Sequence, residues 1–219
     1  MFIGFIFSMS SCTTLYIPNT QNVTLFEEKN ELQIYGGAAM GESSFGGDIQ
    51  AAYSVTNHLA ISANGFFGTT HNDNAYQVGE IALGYFTPLG KSKGIFEVYG
   101  GWGAGGNKHL EGLHFNHFFI QPNVGAHLGA IDLAFSTRFN YAVWPKSETV
   151  SVKEELYIEP AMTFRLGSDK AKFQLQILYS FPTSDPYLDD VLNSFIDYQS
   201  SDRIHLSAGF FIPLDLNKK

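Results

Sequence analysis

The sequence predicts an all-β fold, a closed antiparallel up-and-down transmembrane β-barrel of about ten strands, with eight as the alternative. Three observations lead there: sustained alternation of apolar and polar residues, connections of alternating length, and a polar face unsuited to bulk water. In "IDLAFSTRFNY", Ile131, Leu133, Phe135, Thr137, Phe139 and Tyr141 fall on one side. Asp132, Ala134, Ser136, Arg138 and Asn140 fall on the other. Successive side chains of a strand point to opposite faces, so this is a strand with two unlike environments.

The same pattern runs through the chain in order. Leu32, Ile34, Gly36, Ala38 and Met40 open it, and Phe45 to Val55 follow opposite Asp48 and Gln50. Leu59 to Phe67 oppose Ser62 and Asn64, and Ile81, Leu83 and Tyr85 oppose Glu80 and Gly84. Phe96, Val98 and Trp102 oppose Glu97 and Tyr99, while Phe118, Ile120 and Val124 oppose His117, Gln121 and Asn123. The 131–141 stretch is next. Leu156 to Leu166 then oppose Glu155, Glu159 and Arg165, Phe173 to Phe181 oppose Lys172, Gln174 and Gln176, and Ile204 to Ile212 oppose His205 and Ser207. The connections "VTNH", "TPLGKSKG", "LGAID" and "LGSDKAK" are short, whereas "TTHNDN", "GNKHLEGLH", "WPKSETVSVKE" and "TSDPYLDDVLNSFIDYQSSD" are longer. Only "GESS", after the first strand, is shorter than that scheme asks. Short turns at one end and long loops at the other characterise a barrel set in an outer membrane.

Composition narrows the function. The 219 residues carry a net charge of −8, which argues against nucleic acid as a partner, because phosphate binding wants a basic face. Charged residues make up 16%, against about 25% in ordinary soluble domains. No run of 18 apolar residues offers a spanning helix. A soluble sandwich would turn its apolar faces inward and a charged face to water. Here the polar face is rich in Gly, Ala, Ser, Asn and Gln and poor in Lys, which suits the narrow inside of a small barrel. Strands of about 11 residues span about 28 Å when tilted, close to the apolar band of a membrane barrel. Aromatics near strand ends, among them Tyr53, Phe66, Phe67, Tyr85, Phe86, Tyr141, Trp144, Phe210 and Phe211, suit a membrane interface.

The beginning of the chain, "MFIGFIFSMSSC", resembles the end of a bacterial lipoprotein signal peptide. Its lipobox would read Met9-Ser10-Ser11-Cys12, and cleavage would leave Cys12 acylated at the new N-terminus. Cys12 is the single cysteine, so no disulfide forms within the chain. Residues 13–30, "TTLYIPNTQNVTLFEEKN", show no periodicity and read as a tether. The expected division is signal peptide 1–11, periplasmic tether 12–30, barrel 31–212 and C-terminal tail 213–219.

The "SSC" site, the "LYIP" tether and phrases such as "QAAYSVTNHLAISANGFFG" together resemble the small outer-membrane β-barrel lipoproteins of the Bacteroidetes type. The resemblance covers residues 12–212 and implies a Gram-negative outer membrane. "CTTLYIP" lacks the acidic export signal of such bacteria. The lipid is therefore expected in the inner leaflet with the N-terminus periplasmic.

Charges on the polar face need partners in a cramped lumen, since an unpaired buried charge is costly. The expected network is Glu80, Glu97, Asp132, Arg138, Glu159 and Arg165, with both arginines answering Glu80, Glu97 and Glu159. It serves either as a structural filling or as a narrow cation-preferring or proton-conducting path. In "HLEGLHFNH", His109, Glu111, His114 and His117 are metal-ligand types, but His114 and His117 should face opposite ways, so no metal is expected. No nucleophile elbow, phosphate loop or HExxH occurs, and neither an enzyme nor any cofactor beyond the lipid is expected. In the last long loop, Asp185 and Pro186 give helix-start signals, and Leu188, Val191, Leu192, Phe195 and Tyr198 recur at helical spacing. That stripe either lids the barrel mouth or docks a partner protein. The functional expectation is a non-enzymatic structural or accessory subunit of a larger outer-membrane complex, the alternative being a narrow pore or minor porin.

Overall fold

A computed structural model of the chain describes residues 16–70, 75–90, 93–107, 114–145, 153–183 and 203–217. Its strands are β1 (Glu31–Gly41), β2 (Ser44–Ser54), β3 (Leu59–Thr70), β4 (Ala75–Pro88), β5 (Gly94–Asn107), β6 (His114–His127), β7 (Ile131–Trp144), β8 (Lys153–Gly167), β9 (Lys172–Tyr179), β10 (Phe181–Pro182) and β11 (Ile204–Asp215). β1 to β9 pair antiparallel in sequence order, β1 also pairs with β11, and β11 pairs with β9, so the sheet closes on itself. β9 and β10 are two parts of one stave interrupted at Ser180, and both lie against β8. The barrel therefore has ten staves. Closure pairs each of the long staves on both sides, the condition for backbone to stand in hydrocarbon.

The alternation sorts as the sequence predicts. On β7, Asp132, Ala134, Ser136, Arg138 and Asn140 are buried, while Leu133, Phe135, Phe139 and Tyr141 point outward. Ile81 and Phe210 expose 61% and 64% of their surface on the outside, whereas Arg138, Glu97 and Glu159 are wholly buried inside. A chain with its charges inside and its large apolar residues outside is inverted relative to a water-soluble domain, and it belongs in a bilayer.

The two ends differ. The connections that follow β2, β4, β6 and β8, of four, five, three and four residues, stand at one, the turn end. Gly129 takes φ +80 where the Leu128 N–H reaches the Ile131 carbonyl at 2.7 Å, a two-residue hairpin that favours glycine. Connections of 2, 4, 6, 8 and 21 residues stand at the other, the loop end.

Three expectations change. Residues 16–26 do not hang below the barrel as a tether; all eleven are buried inside it. The last strand runs on to Asp215, so the C-terminal tail is shorter than residues 213–219. Phe66, Phe86, Trp144 and Phe211 are buried in the lumen instead of sitting at the membrane interface, because they pack against that internal segment or its surroundings. Tyr53, Phe67, Tyr85, Tyr141 and Phe210 do lie on the outer face.

Candidate functional site

The site is the lumen and the segment that fills it. Eight staves already pack side chain against side chain, and ten leave room for one extended chain. Tyr16–Phe26 occupies that room from one end to the other. At the loop end Tyr16 stacks on Tyr157 (4.3 Å between centroids) and meets Phe115 edge-on (5.7 Å), and with Ile17 it joins a cluster containing Phe66, Trp144 and Ala142. At the turn end Phe26 packs with Phe86, Tyr99, Ala52 and Ala60, while Val23 and Leu25 pack on Ile95 and Ala134. The filling is thus greasy at both ends and polar between.

In the polar middle, barrel side chains take the place of a neighbouring strand. The side-chain amide of Gln176 accepts from the Gln21 N–H at 2.8 Å and donates to the Gln21 carbonyl at 2.9 Å, as a strand partner would. Gln50 donates to the Thr20 carbonyl (3.3 Å) and Gln121 to the Asn22 carbonyl (2.8 Å). Arg165 donates to the Val23 carbonyl, and His127 Nε2 lies 2.9 Å from the Leu25 carbonyl. Glu97 accepts the Thr24 and Phe26 N–H groups, both at 3.2 Å, together with the Thr24 hydroxyl and Asn123 Nδ2 at 3.1 Å. Buried main chain must find partners, and here the wall supplies them.

Each expected network residue has a place in this scheme. Arg138 Nη1 bonds Glu80 at 2.9 Å and its Nη2 bonds Gln121 at 2.8 Å, with Phe119 4.4 Å from the guanidinium carbon. Asn64 donates to Glu80 at 2.9 Å, and Asn22 donates to Asn64 at 3.1 Å. The result is a closed ring: Arg138, Glu80, Asn64, Asn22 and Gln121. Glu159 accepts from the Tyr16 hydroxyl (2.7 Å) and Ser180 (3.3 Å). Asp132 receives Lys172 at 2.6 Å and His127 at 2.7 Å. Arg165 departs from the expectation that it would answer a carboxylate. It bonds Gln174 at 2.6 Å and the Val23 carbonyl, and it lies 3.7 Å over the Phe211 ring. Within the network, Arg138–Glu80 is the arginine–carboxylate pair.

Glycines on the wall make space for this packing. A Cβ at Gly103 would come 2.0 Å from His117 Nε2, and one at Gly84 would come 2.2 Å from the Tyr99 ring. His117 is buried and bonds Asn140 at 2.8 Å, while His114 is exposed, so the two face opposite ways. Among the described residues no group of three or more His, Cys, Asp or Glu side chains could hold a metal. Cys12, His109, Glu111 and the Leu188, Val191, Leu192, Phe195 and Tyr198 stripe lie outside the described residues.

The residues that the sequence reading missed are those of the filling itself: Tyr16, Gln21, Asn22, Thr24 and Phe26. One signal pointed to them. The lumen face carries more amides (Gln50, Asn64, Gln121, Asn123, Gln174 and Gln176) than its few charges need, so a further polar partner was required.

The chain matches no protein-family model, and no curated protein matches it. Among solved structures, it is similar to the N-terminal β-barrel domain of Pseudomonas aeruginosa OprF, at 9% identity over 85% of this chain and 99% of that one, with a TM-score of 0.35.

Proposed function

We propose that this chain is an outer-membrane β-barrel lipoprotein, acylated at Cys12, that serves as a structural or accessory subunit and does not conduct. The observation that carries the proposal is the filled lumen. A pore needs continuous water, and here main-chain and side-chain groups of residues 16–26 take the space and hydrogen-bonding capacity that water would use. A barrel whose lumen is filled presents its outer wall and loops as working surfaces, which suits the bilayer and a larger outer-membrane protein as partners. The narrow cation-preferring pore is the second reading, since Glu80, Glu97, Asp132 and Glu159 line the same lumen.

Planar-bilayer recording separates the two. The intact protein should give no unitary steps, and a variant with residues 16–26 replaced by a Gly-Ser linker of equal length should give discrete steps with cation preference. Steady conductance from the intact protein would overturn the subunit reading in favour of the pore.

A further inference from the structure

The filling has a direction. Tyr16 lies among Phe115, Trp144 and Tyr157 at the loop end, and Phe26 lies with Phe86 and Ala60 at the turn end. Between them the contacts descend in order: Tyr16 to Glu159, Gln21 to Gln176, Asn22 to Asn64, Thr24 to Glu97 and Leu25 to His127. Below Phe26 the chain is turned back into β1. Glu31 accepts the Glu28 N–H at 3.0 Å, Asn30 adopts φ +64, and Asn217 donates to the Lys29 carbonyl at 2.7 Å. The polypeptide thus enters the barrel at the loop end, passes through it, and begins the wall from the turn end.

We infer that the barrel is a conduit for its own N-terminal end, and that the chain ahead of Tyr16 is delivered to the loop side of the membrane. Short turns face the periplasm and long loops the exterior in barrels of this kind, so the loop side is the cell surface. Chain length then fixes the leaflet. Cys12 precedes Tyr16 by four residues, which reach about 14 Å at most. From Trp144 to Asp132 along β7, a tilted strand descends about 30 Å. A lipid on Cys12 cannot cover that distance to the turn side, and the closed wall offers no lateral exit. Its acyl chains therefore belong to the outer leaflet, the reverse of the sequence expectation. The leaflet rests on the proposed acylation, whereas the exit side rests on the threading alone.

The test uses whole cells and a membrane-impermeant maleimide, with acylation blocking the sulfur of Cys12. Three single variants are compared: Thr14→Cys ahead of the filling, Ser147→Cys in a loop-end connection, and Asp169→Cys in a turn-end hairpin. Thr14→Cys and Ser147→Cys should label equally in intact cells, and Asp169→Cys only after permeabilisation. Labelling of Thr14→Cys only after permeabilisation, with Ser147→Cys labelled throughout, would overturn the inference and leave the barrel reading intact. Equal labelling of Ser147→Cys and Asp169→Cys in intact cells would overturn both. Should the thiol at position 14 prove shielded on either side, an epitope inserted between Thr13 and Thr14 gives the same decision. Antibody binding to intact cells supports the inference, and binding only after permeabilisation overturns it.

Discussion

At the scale of single residues, the lumen is held by a few buried charges that join the wall to itself and to the filling. Arg138 is the clearest: its guanidinium ties Glu80 on β4 to Gln121 on β6, and through them reaches Asn22 of the internal segment. Removing one partner of a buried pair strands the other, at a cost of about 3–5 kcal/mol. Arg138→Ala should therefore lower markedly the temperature at which the compact barrel species converts to the slower unfolded band on a denaturing gel. Adding Glu80→Gln to that variant should recover part of the loss, because the stranded charge is gone. Equal conversion temperatures for wild type and Arg138→Ala would show that the ring does not support the barrel. Glu97 acts differently, holding main chain and not a cation: its carboxylate accepts two N–H groups of the filling. That role explains why pairing opposite charges along the sequence could not place it.

At the scale of elements, the strands were legible and the filling was not, for one physical reason. A strand between two unlike media shows a period of two, and the outward sets read from β2, β4 and β7 are the exposed ones. The filling meets barrel wall all round, so it has no side to be periodic about. "NTQNVT" is indistinguishable from a loop until the amides across from it are known. Phe66, Phe86 and Phe211 misled for the same reason, since a ring near a strand end serves the interface or the interior according to which neighbour exists. The outward face of β4 gives a depth-dependent prediction. Ile81 sits mid-strand opposite Ala63 and Trp102, while Gln77 sits near the loop end. Ile81→Arg should destabilise the barrel folded into vesicles by about 2–4 kcal/mol, and Gln77→Arg by about 0–1 kcal/mol. Denaturant titration in phosphatidylcholine vesicles measures both, and similar small losses at the two positions would argue that the outer face sees water.

At the scale of the whole molecule, strand number and filling explain each other. The tenfold barrel is wide enough for an extended chain, and the extended chain supplies the hydrogen bonds that the amide-rich wall requires. The same arrangement fills the lumen and brings the chain to β1 from the turn end. All of it depends on residues 16–26 lying inside the wall in the assembled protein. The most direct measurement is a bridge between the two: Asn22→Cys in the filling and Asn64→Cys on β3, whose native side chains touch at 3.1 Å across 42 residues of sequence. Treated in the membrane with a short bifunctional thiol reagent, this variant should form an internal bridge in high yield. The bridged chain should run at a changed position even after boiling, with neither single variant doing so. If instead both thiols take up a bulky water-soluble maleimide and no bridge forms, the segment lies outside the barrel and the account fails.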